Sequence, residues 1–363
     1  MMRMLDLKNK DILVVGLGLS GYAAASFLAG KGHSVRVTDS GSDLIVRKRA
    51  DELKAMGVYV ETGGHTGDFC SEADVLVVSP GVPGDILPLV MAEEEKIPVI
   101  GELELGGMFC EAPIIAVTGT NGKSTVTELI GHILAGSGRK TFVRGNIGKP
   151  LCAETENIDG ESVVVAEVSS FQLETIATFR PHIAVLLNIS EDHYDRHGTM
   201  NEYRKQKFRI FENQKVADHA VLHESLRNDA LSERIRSRKH IYGIEKGASG
   251  ISAGNIVIDD GERQHVVMPA TEVPLQGAHN LENTVCACLA AYLAGVDIAM
   301  IRNAVRGFKP LSHRFETIRR SGEVEYINDS KATNIDATKR ALESVSKPVV
   351  LIAGGIDKGG DYT

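Results

Sequence analysis

The sequence of 363 residues contains no tryptophan, and aromatic residues make up only 5% of it. Its hydrophobic cores must therefore be built mainly from valine, isoleucine, leucine and alanine side chains. No apolar run approaches the roughly 18 residues of a membrane-spanning helix, so we expect no membrane partner. Charged residues return within positions 1–8, before any apolar stretch of secretory length, so no secretory leader is predicted.

Cysteine is scarce, and acidic residues outnumber basic ones. The chain has five cysteines, an odd number, and none of them forms a C-x-x-C pair. This usage is typical of a reducing compartment, and we therefore predict a cytoplasmic protein. The net charge of −8 disfavours nucleic acid as a partner. It does not exclude small anions, because backbone N–H groups can bind phosphate whatever the global charge.

A glycine-rich stretch, Thr118–Thr125, is the strongest functional motif in the chain. It follows the apolar run Pro113–Val117, which predicts a buried strand, and it precedes residues with helical periodicity. Those periodic positions are Val126, Leu129, Ile130, Ile133 and Leu134. Glycines let several backbone N–H groups point inward, and the helix N-terminus adds partial positive charge. Lys123 could reach the outer phosphates of ATP, and the hydroxyl of Ser124 or Thr125 could hold Mg²⁺.

The stretch is a shortened variant of the P-loop. The strict pattern has a glycine five residues before Gly122, where this chain has Val117. An ordinary strand-to-helix turn is the alternative, but a Gly-Lys-Ser triplet between a strand and a helix rarely arises by accident. We therefore predict that the chain uses ATP at this loop.

The N-terminal region carries a second glycine motif. Residues 16–21 read G-x-G-x-x-G between the predicted strand Ile12–Val15 and a helix of small residues, and Asp39 ends the next strand. This Rossmann-type fingerprint suggests NAD, although the same loop can hold any diphosphate, and a purely structural tight turn is a further alternative. Ser79–Gly81 also follows a strand, where open α/β sheets place ligands, although a simple Pro/Gly turn would look the same. Residues 1–109 are predicted to form one parallel α/β domain.

Two polar clusters follow predicted strands of the central region. Glu167 ends one strand, and the segment Asn188–Gly198, which contains His193, follows another. Because the carboxyl ends of parallel strands share one edge of a sheet, we expect both clusters to converge on the phosphate loop. Glu167 and His193 are therefore candidate Mg²⁺ ligands, with a surface histidine as the alternative for His193. By spacing alone, Lys207 is one of several cations on a helix, and a solvated face is its default.

The C-terminal part of the chain leaves more alternatives open. His279, Asn280 and Asn283 lie at the start of a predicted helix, where capping and contact with a base or ribose are both reasonable roles. Residues 311–363 predict two strands and about one helix, too few residues to bury a core alone. We therefore expect this section to form only part of a third domain.

Several motifs together resemble the Mur ligases and the folylpolyglutamate synthases. These motifs are the shortened phosphate loop, the Asn188–Gly198 segment with the later Tyr203 and Lys207, His279-Asn280, His313–Glu316 and Asp329–Lys331. Within this group, Gly16–Gly21, Ser79–Gly81 and Ser169–Glu174 resemble the members that join D-glutamate to UDP-N-acetylmuramoyl-L-alanine. The resemblance covers essentially the whole chain.

The resemblance implies an α/β fold of three domains. Residues 1–109 would form a Rossmann-like domain for the UDP-substrate, and residues 110–310 a central P-loop-type ATPase domain with a parallel sheet. Residues 311–363 would form part of a Rossmann-like C-terminal domain. It also implies an ATP-dependent amide ligase that works through an acyl phosphate with Mg²⁺, as a monomer, in the cytoplasmic synthesis of peptidoglycan precursors. Its substrates would be UDP-N-acetylmuramoyl-L-alanine and D-glutamate.

Three other functions remain open at this point. The first is another amino-acid ligase of the group, similar to folylpolyglutamate synthase. The second is a nucleotide-binding fragment without full turnover. The third is an NAD(P)-dependent oxidoreductase built on residues 16–21, which the loop containing Lys123 disfavours.

The resemblance also implies roles for individual residues. The ATP site would comprise Gly119, Thr120, Asn121, Gly122, Lys123, Ser124, Thr125, Asn280, Asn283, Arg314 and Asp329. The catalytic residues would be Lys123, His193 and Lys207, the last matching a lysine that reacts with CO₂ to become a carbamate. The Mg²⁺ ligands would be Ser124, Glu167, His193 and carbamylated Lys207. The UDP-substrate would contact Leu19, Ser20, Ser79, Gly81 and Asn146, and D-glutamate would contact Lys331, Thr333 and Lys358.

Overall fold

The computed structural model describes residues 5–153, 155–191, 194–245, 247–345 and 347–355, with the backbone alone at residues 194 and 195. The chain forms two compact units. The first comprises Met1–Pro113, Arg144–Ser162 and Val168–Arg180, and the second comprises Ile114–Val143, Val163–Glu167 and Pro181–Thr363. The domain boundaries expected after residues 109 and 310 stay a prediction. Every helix in the described ranges is too short or too polar to cross a membrane.

The first unit is built on a five-stranded parallel sheet. Its strands are Asp11–Val15 (β1), Ser34–Asp39 (β2), Tyr59–Thr62 (β3), Val75–Val78 (β4) and Val99–Gly101 (β5). Its helices are Leu19–Gly30 (α1), Leu44–Ala55 (α2), Gly67–Cys70 (α3), Leu87–Glu95 (α4) and Glu102–Phe109 (α5). The strand order is β3-β2-β1-β4-β5, so the winding reverses between β1 and β4. Open α/β sheets bind ligands at such a reversal.

Successive residues of β1 pack on opposite faces of this sheet. Ile12 and Val14 belong to one aliphatic cluster, Leu13 and Val15 belong to the other, and all four side chains are fully buried. A parallel sheet covered on both faces has no polar side, which explains why β1 is an unbroken apolar run.

Glu104 on α5 fastens residues 177–179 within the first unit. Its side chain is only 1% exposed. Its carboxylate accepts hydrogen bonds from the backbone N–H groups of Ala177, Thr178 and Phe179 at 2.7–2.9 Å, and also from the Thr178 hydroxyl. A buried carboxylate requires several such donors, because they replace the water that it has lost.

The second unit contains a six-stranded sheet with the order β11-β10-β9-β6-β8-β7. Its strands are Ile114–Thr118 (β6), Thr141–Gly145 (β7), Val163–Glu167 (β8), Ile183–Leu186 (β9), His219–His223 (β10) and Arg238–Tyr242 (β11). The ladders joining β8, β6, β9, β10 and β11 are parallel. As a result, the carboxyl ends of β6, β8 and β9 lie along one edge, as the sequence predicts.

The remaining elements complete the chain. A short helix of the first unit is Ser170–Leu173 (α7), and the helices of the second unit are Lys123–Gly136 (α6), Tyr194–His197 (α8), Met200–Phe208 (α9), Ala278–Leu293 (α10), Ile298–Gly307 (α11) and Ile335–Glu343 (α12). An antiparallel sheet consists of Gly250–Ser252 (β12), Asn255–Asp259 (β13) and Gln264–Pro269 (β14), and an antiparallel hairpin consists of Glu316–Ser321 (β15) and Val324–Asn328 (β16).

The core of the second unit forms where α6 and α10 pack on the six-stranded sheet. The predicted apolar stripe of α6 is confirmed, since its five periodic positions are fully buried. By contrast, none of residues 311–345 has a buried side chain. Hydrogen bonds from polar side chains connect this section to residues 121 and 124.

Replacing Glu104 by glutamine is expected to destabilise the first unit by about 2–4 kcal/mol. The amide nitrogen would face backbone N–H groups that now bond to a carboxylate oxygen. Urea unfolding of E104Q and of the wild type measures the change. Glu111→Gln, at an exposed glutamate, is the control and should change the free energy of unfolding little. Equal stability of E104Q and the wild type would contradict the assigned role.

A histidine pair in the second unit makes stability depend on pH. The His219 Nδ1 and His240 Nε2 atoms lie 2.9 Å apart, so one ring nitrogen must accept a hydrogen bond. Burial, followed by the nearby charge of His219, lowers the pKa of His240 to about 4. The unfolded chain therefore binds a proton near pH 6.5 that the folded chain does not bind, and stability falls as the pH drops from about 6.5 to about 4.

His240→Gln should remove part of this dependence. In this pH range, the free energy of unfolding of the wild type is expected to fall by at most about 1.4 kcal/mol per pH unit more than that of H240Q. Urea unfolding at about pH 7 and about pH 5 measures both slopes. His33→Gln, in the first unit, serves as the control and should keep the wild-type slope. A slope for H240Q equal to that of the wild type would refute this assignment.

Candidate active site

The glycine motif of the first unit connects β1 to α1 at the point where the winding of the sheet reverses. A Cβ atom at Gly21 would lie 1.8 Å from the Gly16 carbonyl oxygen, so only glycine lets α1 approach the loop this closely. The Ser79 hydroxyl, just after β4, donates a hydrogen bond to that same carbonyl at 3.2 Å. The two sequence motifs at residues 16–21 and 79–81 therefore meet at one site.

Asp39 holds the glycine loop in place. One carboxylate oxygen accepts a hydrogen bond from the Leu17 N–H, and the other accepts from the Gly41 N–H at 2.6 Å. Arg49 Nη1 donates to the Leu17 carbonyl at 3.0 Å. Both Asp39 oxygens thus organise the protein backbone, whereas the corresponding acid of an NAD-binding domain contacts a ribose hydroxyl.

Four of the predicted UDP-substrate residues lie in the first turn of α1 or just after β4. Leu19 is 63% exposed in the first turn of α1, beside the half-buried Ser20. The N-cap of α1 is Gly18, which offers no side-chain cap to the N–H groups of the first turn. Gly81 is exposed next to Ser79, and Asn146 is exposed just after β7. A helix N-terminus beside a glycine loop is suited to a diphosphate.

The phosphate loop of the second unit lies between β6 and α6. Gly122 has a φ of +85°, and a Cβ atom there would lie 2.6 Å from the Asn283 Oδ1 atom of α10. Asn188, just after β9, holds the loop backbone with three hydrogen bonds: its side chain bonds to the N–H and carbonyl of Asn121 at 2.8 and 3.0 Å, and its carbonyl accepts from the Thr120 N–H at 3.0 Å. Sequence reasoning did not single out Asn188, although its position directly after a buried strand was a usable signal.

Two lysines meet at the Gly119 carbonyl. Lys123 Nζ donates to it at 3.0 Å and also to the Thr120 carbonyl at 2.8 Å. Lys207 Nζ donates to the Gly119 carbonyl at 2.7 Å and lies 4.5 Å from the centre of the Tyr203 ring. Lys207 is only 1% exposed. The solvated-face interpretation of Lys207 is therefore wrong, because α9 turns this side chain into the loop.

Candidate ligands for a divalent cation lie beside these lysines. Glu167, 2% exposed, ends β8 directly next to Val117 of β6, and Ser124 is buried in the first turn of α6. Burial, together with the negative charge of Glu167, raises the pKa of Glu128 on the same helix. Carboxylate and hydroxyl oxygens fit Mg²⁺, and a second carboxylate favours a cation.

Three of the four predicted metal ligands, Ser124, Glu167 and Lys207, lie in the described part of the chain. His193 lies outside the described residues, and the described part of the chain contains no group of three candidate His, Cys, Asp or Glu ligands. The Ser124 hydroxyl accepts a hydrogen bond from Arg314 Nη2 at 2.7 Å, so Arg314 reaches the first turn of α6, and its contact with ATP stays a prediction.

The helix start at Asn280 and Asn283 faces the phosphate loop. Asn283 is 8% exposed against Gly122 and donates to the Asn280 side chain at 3.3 Å, and Asn280 donates to the Gln276 carbonyl at 2.7 Å. Among the described residues no side chain caps α10, so the capping alternative is wrong. Burial lowers the pKa of the neighbouring His279. These amides remain candidates for nucleotide contact.

The C-terminal section supplies further polar residues. Asp329 accepts a hydrogen bond from the Phe315 N–H at 3.0 Å, and Lys331 and Thr333 are exposed. Lys358 lies outside the described residues. Asp336, in the first turn of α12, accepts a hydrogen bond from Asn121 of the phosphate loop at 2.7 Å. Sequence reasoning missed Asp336, and no local signal would have found it.

Comparisons with known proteins agree with this geometry. Residues 10–101 match the Mur ligase MurD-like N-terminal domain family, and residues 117–291 match the Mur ligase middle domain family. Among solved structures, the MurF ligase from Thermotoga maritima in complex with ADP has a TM-score of 0.53. It is 16% identical and covers 94% of this chain and 75% of its own. This likeness concerns the fold and confirms a mixed α/β architecture with parallel sheets.

Curated relatives are much closer in sequence. The UDP-N-acetylmuramoylalanine–D-glutamate ligase of Pelotomaculum thermopropionicum is 46% identical over 361 residues, which are 98% of this chain and 79% of the relative. The enzyme of the same name from Desulfatibacillum aliphaticivorans is 46% identical over 362 residues, which are 99% of this chain and 80% of the relative. The chain therefore belongs to the Mur ligase family, in the branch of the UDP-N-acetylmuramoylalanine–D-glutamate ligases.

Proposed function

We propose that this chain is an ATP-dependent ligase that joins the amine of D-glutamate to the carboxylate of UDP-N-acetylmuramoyl-L-alanine. The observation that carries the proposal is the shortened phosphate loop at which Lys123 and the buried Lys207 meet on one carbonyl. The names of the curated relatives, which specify the same substrates, support the proposal. The reaction would be part of peptidoglycan precursor synthesis in the cytoplasm, and the enzyme would act as a monomer.

The first step would activate the carboxylate. A carboxylate oxygen attacks the γ-phosphorus of ATP, the bond from that phosphorus to the β,γ-bridging oxygen breaks, and ADP leaves. The product is an acyl phosphate. Because carboxylate and triphosphate repel each other, catalysis depends on positioning and on neutralising charge. Lys123 is suited to the β- and γ-phosphates, with Gly119 to Thr125 wrapping around them.

The second step would form the amide. The D-glutamate amine attacks the acyl carbon, the carbon–oxygen bond to phosphate breaks, and inorganic phosphate leaves as the nitrogen loses a proton. Lys331, Thr333 and Lys358 are proposed to hold D-glutamate. Two of these are cations, which complement the two carboxylates of this substrate.

Substrate and nucleotide would use different parts of the chain. The glycine loop of the first unit, with Leu19, Ser20, Ser79, Gly81 and Asn146, is proposed to bind the UDP-sugar. Asn280, Asn283, Arg314 and Asp329 are proposed to contact ATP. The uncharged side chains around the UDP site leave the diphosphate to backbone N–H groups and the α1 N-terminus.

Mg²⁺ would be held by Ser124, Glu167, His193 and a carbamate on Lys207. When bound, it would neutralise charge on the transferred phosphoryl group. The carbamate would form when the neutral Lys207 amine attacks CO₂ and loses a proton. This converts a cation into an anion at the point where Lys123 and Lys207 otherwise place two cations on one carbonyl.

Phosphate release provides the direct test of the proposed reaction. Release from ATP is expected only when UDP-N-acetylmuramoyl-L-alanine and D-glutamate are both present with Mg²⁺. L-glutamate, glycine and L-lysine serve as control acceptors and should give only background release. Turnover with a folate and L-glutamate would instead identify a folylpolyglutamate synthase. ATP binding without turnover under any condition would identify a nucleotide-binding protein that is not a ligase.

Lys207→Arg should lower kcat by about 10²–10³-fold, because arginine keeps the positive charge but cannot form the carbamate. The same phosphate-release assay measures the loss. Lys205→Arg is a matched control, since Lys205 lies on the same helix but is 50% exposed, and it should retain activity. Carbon-13 NMR with labelled bicarbonate should detect a carbamate in the wild type and in K205R but not in K207R. Full activity of K207R would refute the carbamate.

A further inference from the structure

The Asn121 side chain ties the phosphate loop to the first turn of α12. Its Nδ2 atom donates to Asp336 Oδ2 at 2.7 Å, and its Oδ1 atom accepts from Asn334 Nδ2 at 3.1 Å. Asn334 is also the N-cap of α12 and Asp336 is the second residue of that helix. Both ends of one loop amide are therefore bound to one helix terminus, more than 200 residues further along the chain.

The loop does not need this contact to keep its shape. Asn188 already holds the Asn121 backbone at both ends. The Thr120 hydroxyl is held separately, by the Ser190 N–H at 3.0 Å and by Tyr203 at 3.2 Å. Removing Asp336 would therefore loosen the tie between Asn121 and α12, leaving only the hydrogen bond from Asn334, while the backbone cradle remains.

Asp336 brings a negative charge to this position. A single carboxylate oxygen accepts from Asn121, from the Ser190 hydroxyl at 3.2 Å and from Arg340 Nε at 3.1 Å. The Asp336 side chain is 29% exposed and that of Arg340 is 37% exposed. Such a partly solvated ion pair compensates the carboxylate only in part. The carboxylate is therefore bound to Asn121, which directly precedes Gly122 in the loop proposed to bind polyphosphate.

We propose that Asp336 is a positioning residue of the nucleotide site that acts through Asn121. Its carboxylate holds the Asn121 amide toward α12 and opposes the entry of a polyphosphate. Nucleotide binding consequently weakens the contact between Asn121 and α12. This inference rests on the proposed use of ATP at the loop. It assigns to Asp336 a negative effect on nucleotide affinity, which is opposite in sign to the effect of a residue that merely supports the loop.

Isothermal titration calorimetry tests whether Asp336 weakens nucleotide binding. The ligands are ADP and a non-hydrolysable ATP analogue, each with Mg²⁺. Asp336→Asn should lower the Kd of the ATP analogue about two- to fivefold. The gain in affinity should be smaller for ADP, which carries less negative charge, and it should decrease at high ionic strength. Glu343→Gln is the matched control, because it removes one negative charge from the far end of the same helix, and it should leave both Kd values unchanged.

A second measurement follows α12 itself. Hydrogen exchange of the α12 amides should speed up in the wild type when the ATP analogue binds. In D336N exchange should already be faster than in the wild type, and nucleotide should increase it less. Asp336→Ala is measured in parallel and should change nucleotide affinity and α12 exchange in the same direction as D336N. Circular dichroism and the thermal midpoint show that each variant is folded.

The outcomes separate this inference from the proposed function. If the wild type binds neither nucleotide, the proposed use of ATP fails and the inference fails with it. If the wild type binds nucleotide but D336N and D336A bind it equally well or more weakly, the inference alone is overturned. Tighter binding by both variants, with E343Q unchanged, supports it.

Discussion

The hydrogen bonds between Asn188 and the phosphate loop are the interaction on which the candidate active site depends. A side-chain amide and a backbone carbonyl, both at the end of β9, bind the backbone of Thr120 and Asn121. The loop lacks one glycine of the usual P-loop, so a neighbouring strand supplies part of its support. With the backbone fixed in this way, the Gly119 carbonyl becomes a meeting point for Lys123 and Lys207.

Charge is distributed differently in the two units. In the first unit the glycine loop is organised by Asp39 and Arg49, both of which bond to the backbone at Leu17. The groups proposed to face the UDP-substrate are backbone N–H groups and neutral side chains. In the second unit two lysines and the buried Glu167 lie at one sheet edge. A pyrophosphate that stays intact only has to be bound, whereas a phosphoryl group that is being transferred needs groups that neutralise its negative charge.

Much of the fold could be predicted from local pattern. The strand before the phosphate loop, the apolar stripe of α6 and the Rossmann-type unit around β1 all follow from periodicity and glycine spacing, because these features involve residues close in the chain. The convergence of Glu167 with the phosphate loop also followed, since parallel strands end at one edge. The two-unit division did not follow, because residues 144–162 and 168–180 join the first unit through contacts distant in sequence.

The sequence by itself determined the glycine loops, the parallel α/β class and the membership of the family, since each depends on short motifs whose residues have a fixed spacing. Only the tertiary structure decided which polar side chains are buried and what they bind. By spacing alone, the helix carrying Lys207 gives no hint that its lysine is buried at Gly119, and Asp336 has no local mark of its contact with Asn121. Such roles arise from packing between distant segments, where burial and partner are set by the neighbouring element.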